Sequence, residues 1–220
     1  MRLVLIHGLG EDNSIFDAIA LDLPGDHLFI NLWEALGDGK RPRLNIIDFC
    51  KELVERYSID KNDIIIGHSL GGRIAHHIKH VNGNKVIQIA SWTTQGKASF
   101  PMKSRRLGYF FIRLGFLGIK SVKRYMMKKY RHDYSKKYYE AAMDNLIKRN
   151  RNCVVNQFKL VLDPARENVT VSPDLRIHAK KDYIVRYPNE TFDEVSGDHF
   201  SLLTHPAEVV KSIKSFLTTI

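Results

Sequence analysis

The stretch Asp63-Ile64-Ile65-Ile66-Gly67-His68-Ser69-Leu70-Gly71-Gly72 decides the fold. Asp63 to Ile66 is a short apolar run of the kind that a strand buried on both faces of a parallel sheet requires. From Leu70 onward the apolar positions Ile74, Ala75 and Ile78 fall at helical spacing. Between the two lies G-x-S-x-G. A serine at such a strand-to-helix turn is forced into strained backbone geometry, and Gly67 and Gly71 on either side let neighbouring backbone pass without clash. The hydroxyl is thereby presented above the sheet. The helix that follows aims its first N–H groups and positive dipole end at the same spot, which favours negative charge on a reacting oxygen. The plainer reading, a glycine-rich turn whose serine merely caps a helix, is disfavoured by the strand before it and the helix after it.

The rhythm continues on both sides. Leu3 to Ile6 reads as a first strand running into His7-Gly8, and His27 to Trp33 as a second. Asn45 to Tyr57 has helical spacing, and Lys85 to Ala90 is a further strand. Strands alternating with helices argue for parallel βαβ units in an open α/β sheet of about six strands. The pattern resumes at Leu175 to His178, continues at Thr191 to Val195, and closes with an amphipathic helix from Pro206 to Leu217. Between them, from about 93 to 164, it gives way to a tyrosine-rich, basic and helical region that reads as an insertion. The expected organisation is one α/β domain, with a core at 1–92 and 165–220 and a helical insertion at about 93–164.

Bulk properties narrow the class. With 220 residues, 44% hydrophobic and 26% charged, the chain can bury a substantial core and is neither a disulfide-stapled miniprotein nor a low-complexity sequence. Cys50 and Cys153 match neither a disulfide framework nor a CxxC metal site, which fits a reducing compartment. No run approaches the roughly 18 apolar residues of a membrane span, and Met1 to Ile6 reads as a strand and not a secretory leader, so a cytoplasmic location is expected.

The elbow segment resembles the nucleophile elbow of the α/β-hydrolase superfamily, and other segments match the same pattern. His7-Gly8-Leu9-Gly10 looks like the superfamily's HG-x-G oxyanion turn, which implies the N–H groups of Leu9 and Leu70 as the oxyanion hole, with His7 a structural member. Gly197-Asp198-His199-Phe200 resembles the loop that carries the catalytic base, implying His199. His178-Ala179-Lys180-Lys181-Asp182 resembles the acid loop, implying Asp182, with Ala179 where a glycine is usual. His199 follows Asp182 by only seventeen positions, so the crossover between them is expected to be a short loop around Tyr187-Pro188-Asn189, and Asp174, Asp163 and Asp198 remain alternative acids. A chain starting at the HG strand also implies that the superfamily's first two antiparallel strands are missing.

Other histidines are assigned lesser roles. His68 is expected to pack beside the turn, His205 to cap or face solvent beside Pro206, and His76, His77 and His80 to be surface or interface residues of the helix after the elbow. His76 and His80 are four residues apart, but no HExxH supports zinc, and neither metal nor organic cofactor is expected.

The resemblance implies a serine hydrolase of small to medium acyl esters or thioesters, in which Ser69 attacks, His199 shuttles the proton and Asp182 orients the imidazole. The formal charge of +10 is concentrated between Lys97 and Arg166, with interleaved apolar residues from Tyr109 to Tyr130. The resemblance implies that this basic insertion is a cap over the serine, where it could be simply a solvated lid, could line an acyl pocket, or could weakly attract an anionic ligand or membrane surface. Nucleic acid is not favoured as a partner, for no recognition motif accompanies the charge. The alternative from another class is a non-catalytic binding module that keeps the fold while its basic cap contacts an anionic partner.

Overall fold

A computed structural model describes residues 1–94, 97–99, 104–164 and 169–220. The chain opens with β1 (Arg2–Ile6), followed by a tight helical turn at Asn13–Phe16 and α1 (Asp17–Ala20). Next come β2 (Asp26–Ile30), α2 (Leu32–Leu36), α3 (Ile46–Arg56), β3 (Ile64–His68), α4 (Leu70–Asn82) and β4 (Lys85–Ile89). The insertion contributes α5 (Arg105–Arg113), a turn at Phe116–Gly118, α6 (Lys120–Lys129), α7 (Lys136–Lys148) and α8 (Arg151–Leu162). The chain then returns through β5 (Leu175–His178), β6 (Asp193–Glu194), α9 (Ser201–Thr204) and α10 (Pro206–Leu217).

The strands form one six-stranded sheet in the order β2-β1-β3-β4-β5-β6, with every pairing parallel. Successive strand residues point to opposite faces, so the two faces carry separate cores. Leu3, Leu5, Ile64, Ile66, Ile87 and Ile89 pack with α1, α9 and α10. Val4, Ile6, Ile65 and Val86 pack with α2, α3, α4 and α8 on the other side. Both faces being covered explains why the strands read as continuous apolar runs instead of alternating ones.

The sheet order reverses at β1: the chain goes from β1 out to β2, then returns across to β3. In open parallel sheets the crevice at such a reversal, beyond the strands' carboxyl ends, is where ligands bind. Ile6 pairs with Gly67, so the chain leaves β1 at His7 and β3 at Ser69 side by side in that crevice.

Two expected strands are shorter in the structure. The second stops at Ile30, because Asn31 accepts a hydrogen bond from the Trp33 N–H at 3.0 Å and caps α2. Of Thr191 to Val195 only Asp193 and Glu194 join the sheet, both exposed at its edge. No helix intervenes between β5 and β6. Arg166, the end of the basic segment, and residue 165, where the core was expected to resume, lie outside the described residues. Among the described residues no helix is long and apolar enough to cross a membrane.

Candidate active site

Ser69 stands between the last residue of β3 and the first of α4 with φ 52° and ψ −117°, a conformation that a side-chain-bearing residue adopts only under constraint. The constraints are visible. Its N–H donates to the Ile89 carbonyl at 3.0 Å, and its carbonyl accepts from Ser91 Oγ at 2.7 Å and from the Arg73 N–H at 3.2 Å. The flanking glycines have no room for a side chain: a Cβ on Gly67 would fall 2.3 Å from Gly71 backbone, and one on Gly71 would fall 1.9 Å from the Ile6 carbonyl oxygen. The close approach of α4 to the end of β1 is what tightens the turn.

The structure brings His199 and Asp182 to this serine. His199 Nε2 lies 3.0 Å from Ser69 Oγ, and His199 Nδ1 lies 2.8 Å from Asp182 Oδ2. With Nδ1–H donating to the carboxylate, Nε2 of a neutral ring is left to accept the serine proton. The other oxygen of Asp182 accepts from the Ile184 and Val185 N–H groups, both at 2.8 Å, which fixes the carboxylate plane. Burial opposes the charge on Asp182, but the His199 and His178 rings beside it outweigh this and hold its carboxyl far below the usual carboxylate range. Ser69 is 6% exposed and His199 3%, so the chain of hydrogen bonds is shielded from bulk water.

The alternative acids lie elsewhere. Asp163 accepts from the Ile46 N–H, and Asp174 from Lys79 and the Val86 N–H. Asp198 points away from the imidazole that follows it: Oδ1 accepts from the Phe200 N–H at 3.0 Å, and Oδ2 from Ser135 Oγ at 2.5 Å and Tyr130 OH at 3.0 Å.

The HG turn meets the elbow directly, since a Cβ on Gly8 would lie 2.9 Å from Ser69 Cβ. The Gly8 N–H donates to Glu11 Oε2 at 2.6 Å and the Gly10 N–H to Gln157 Oε1 at 3.1 Å. Among the described residues the N–H groups of Leu9 and Leu70 have no hydrogen-bond acceptor; Leu70 is the first residue of α4, where an amide has no partner within the helix. His7 is a fixed part of the turn. Its Nε2 accepts from the Leu32 N–H and its Nδ1–H donates to the Gly8 carbonyl, both at 2.9 Å, and burial lowers its pKa, so it stays neutral.

Glu11 is the residue that sequence reasoning missed. Its buried carboxylate lies 2.8 Å from His68 Nδ1, while His68 Nε2–H donates to the backbone carbonyl of His199 at 2.8 Å. Burial disfavours the cationic ring, but the adjacent Glu11 charge and hydrogen bond prevail and raise the His68 pKa; Glu11 is correspondingly lowered. With an acceptor oxygen facing each of its ring nitrogens, the variable residue of the elbow ties the HG turn to the backbone of His199. An acid directly after the HG-x-G turn was the available signal. Glu11, His68 and His199 also bring ligand-type atoms within 4.8 Å of one another, but both His199 nitrogens are engaged by Ser69 and Asp182, so a cation there would have to displace those contacts.

Three further histidines correct or refine the reading. His76 and His77 are buried and not on the surface: the segment returning to β5 reaches His76, whose Nε2–H donates to the Val171 carbonyl at 2.7 Å, and His77 Nδ1–H donates to the Arg73 carbonyl one turn back at 2.8 Å. His205 contacts Thr204 Oγ1 at 2.9 Å, half-buried before α10.

The insertion covers the HG turn. Asn145 of α7 donates to the Gly10 carbonyl at 3.0 Å, and a Cβ on Gly10 would fall 2.7 Å from the Ala142 carbonyl oxygen.

This architecture, a parallel α/β sheet with a strained serine at its reversal point and helices inserted after β4, has counterparts among known proteins. The chain belongs to the alpha/beta hydrolase family, whose pattern it matches over residues 3–212. Among solved structures it is similar to the enol-lactonase from Burkholderia xenovorans LB400, with a TM-score of 0.75, 16% identity, and 99% of this chain and 91% of that one covered. A hydrolase from Oleispira antarctica gives a TM-score of 0.71 at 13% identity, covering 100% of this chain and 91% of that one. A thermophilic esterase from Thermogutta terrifontis gives 0.67 at 13% identity, with 100% and 90% covered. No curated protein matches the sequence. Family membership supports hydrolytic chemistry in general, while likeness at these identities speaks for the fold alone.

Proposed function

We propose that the protein is a serine hydrolase cleaving an ester or thioester of a small to medium acyl substrate, with Ser69 as nucleophile, His199 as general base and acid, and Asp182 as the group that orients the imidazole. The observation that carries this reading is the unbroken chain from Ser69 Oγ to His199 at 3.0 Å and on to Asp182 at 2.8 Å, anchored on a strained elbow. A binding module has no need to hold a buried serine at positive φ against an imidazole, so the same observation weighs against the non-catalytic alternative.

In the proposed reaction Ser69 Oγ attacks the acyl carbonyl as its proton passes to His199 Nε2. The resulting oxyanion is held by the N–H groups of Leu9 and Leu70, donors of the kind that lower such barriers by several kcal/mol. The imidazolium, stabilised by Asp182, gives its proton to the leaving alcohol or thiol as the tetrahedral centre collapses to an acyl-enzyme. Water, deprotonated by the same nitrogen, then attacks the acyl group; the proton returns to Ser69 as the acid departs. The core at 1–92 and 165–220 supplies these groups in this reading, and the cap at about 93–164 shapes the acyl site.

Fluorophosphonate labelling and turnover of short p-nitrophenyl esters test the proposal. The wild-type protein should label and turn over, and Ser69→Ala should lose the label and about four or more orders of magnitude in turnover. Labelling that persists in Ser69→Ala contradicts the assignment.

A further inference from the structure

From 104 to 132 the sequence holds nine lysines and arginines and not one acid. Among the described residues, the same stretch carries six of the twelve large hydrophobic side chains that are exposed. Leu107, Phe110 and Leu114, spaced three and four apart, form one stripe of α5 and its C-cap, and Phe116 and Ile119 extend it through the following turn. All five are between 40% and 53% exposed, although the opposite side of α5 is packed, with Ile112 only 8% exposed. Flanking this ridge, Arg106, Arg113, Lys120, Arg124 and Lys128 are exposed and form no ion pair among the described residues. Lys123, by contrast, is spent on Glu140 and Asp144 of α7, which fastens α6 to the rest of the cap.

We propose that the ridge formed by α5, the Phe116–Gly118 turn and the start of α6 docks on an anionic lipid bilayer, with the apolar side chains entering the headgroup boundary and the flanking cations meeting lipid phosphates. Charge complementarity selects this occupant. A contiguous apolar ridge rimmed by cations matches an interface-bound helix, whose affinity combines buried apolar area with attraction to anionic lipid. A second copy of the chain is disfavoured, because a two-fold contact through this face would set two all-basic surfaces against each other. A nucleic acid would satisfy the cations but leave Leu107, Leu114 and Ile119 without partners, for bases stack on aromatic and not aliphatic side chains.

The test is flotation of the full-length protein with phosphatidylcholine vesicles, with and without phosphatidylglycerol, read without any turnover so that it stands apart from the catalytic assignment. Ser69→Ala should bind as the wild type does. Binding should require phosphatidylglycerol, weaken with added salt, and fall about tenfold or more in Phe110→Ser/Leu114→Ser, which leaves the charge unchanged. Phe110→Trp provides a readout in an otherwise intact ridge: its emission should shift to the blue on adding anionic vesicles, whereas Trp33 and Trp92 are buried and should not respond. Equal binding to both vesicle types, undiminished binding in the double variant, a tryptophan that stays unshifted, or RNA binding that outcompetes vesicles would each overturn the proposal.

Discussion

At the scale of single residues, the assignment turns on which carboxylate faces His199. Asp182 and Asp198 are both buried and both within reach of that loop, but only Asp182 meets the ring, while Asp198 is turned toward Ser135 and Tyr130 of the cap. Asp182→Asn would keep the shape of the contact and reverse its polarity. An amide NH2 facing Nδ1 favours the tautomer with its proton on Nε2, which cannot accept from Ser69. Turnover at neutral pH should fall about ten-thousandfold, with partial recovery at alkaline pH. Asp198→Asn should leave kcat within roughly tenfold, since that side chain orders the loop and handles no proton. A pH–rate comparison of the two variants reads the difference, and equal losses would mean that the acid has been misassigned.

At the scale of elements, the elbow depends on how closely α4 approaches β1. Gly71→Ala would drive a methyl group into the Ile6 and His7 carbonyl oxygens, 1.9 and 2.7 Å from the new carbon, and should destabilise the protein by about 3 kcal/mol or more in urea unfolding. Gly83→Ala is the control: it ends α4 at φ 82° with open space around it, so only backbone strain of about 1–2 kcal/mol is expected. The G-x-S-x-G turn was legible because the residues that make it tight are adjacent in sequence. Glu11 was not, because its value comes from His68, 57 residues away, and from burial that no local pattern announces. The same holds for the link between α6 and α7, which touches both loops that supply Asp182 and His199: His132 donates to the Lys181 carbonyl at 2.9 Å, and Ser135 reaches Asp198. Periodicity showed a helical insertion there but could not say which of its turns would rest on the site. β6 is shorter than the strand-like composition of Thr191 to Val195 predicts, because at a sheet edge only one neighbour is present to hold it.

At the scale of the whole molecule, two buried histidines unused by the proposed chemistry make stability depend on pH. His76 and His77 are pushed down to about 4 and about 3, chiefly by burial, with nearby Arg73 and His80 adding to the effect and Arg176 adding to it at His76. Each ring has one nitrogen bonded to a backbone carbonyl and the other, His76 Nδ1 and His77 Nε2, without a partner among the described residues. A second proton would therefore place an unsatisfied cationic N–H in the interior. The folded state keeps both rings neutral at pH values where the unfolded chain, titrating near 6.5, already binds protons. Stability is accordingly full above about pH 6.5 and declines as pH falls toward 4, by up to roughly 1.4 kcal/mol per pH unit for each ring. Against a total of about 5–15 kcal/mol this is a large fraction, and it begins at milder acidity than carboxylate titration would produce. Urea unfolding at pH 7 and pH 5 should show the loss in the wild type, and His77→Gln, lower in stability at pH 7, should lose less between the two. A wild-type midpoint that stays constant over this range would show that these rings are protonated in the folded state, or are solvated in a way their burial does not suggest.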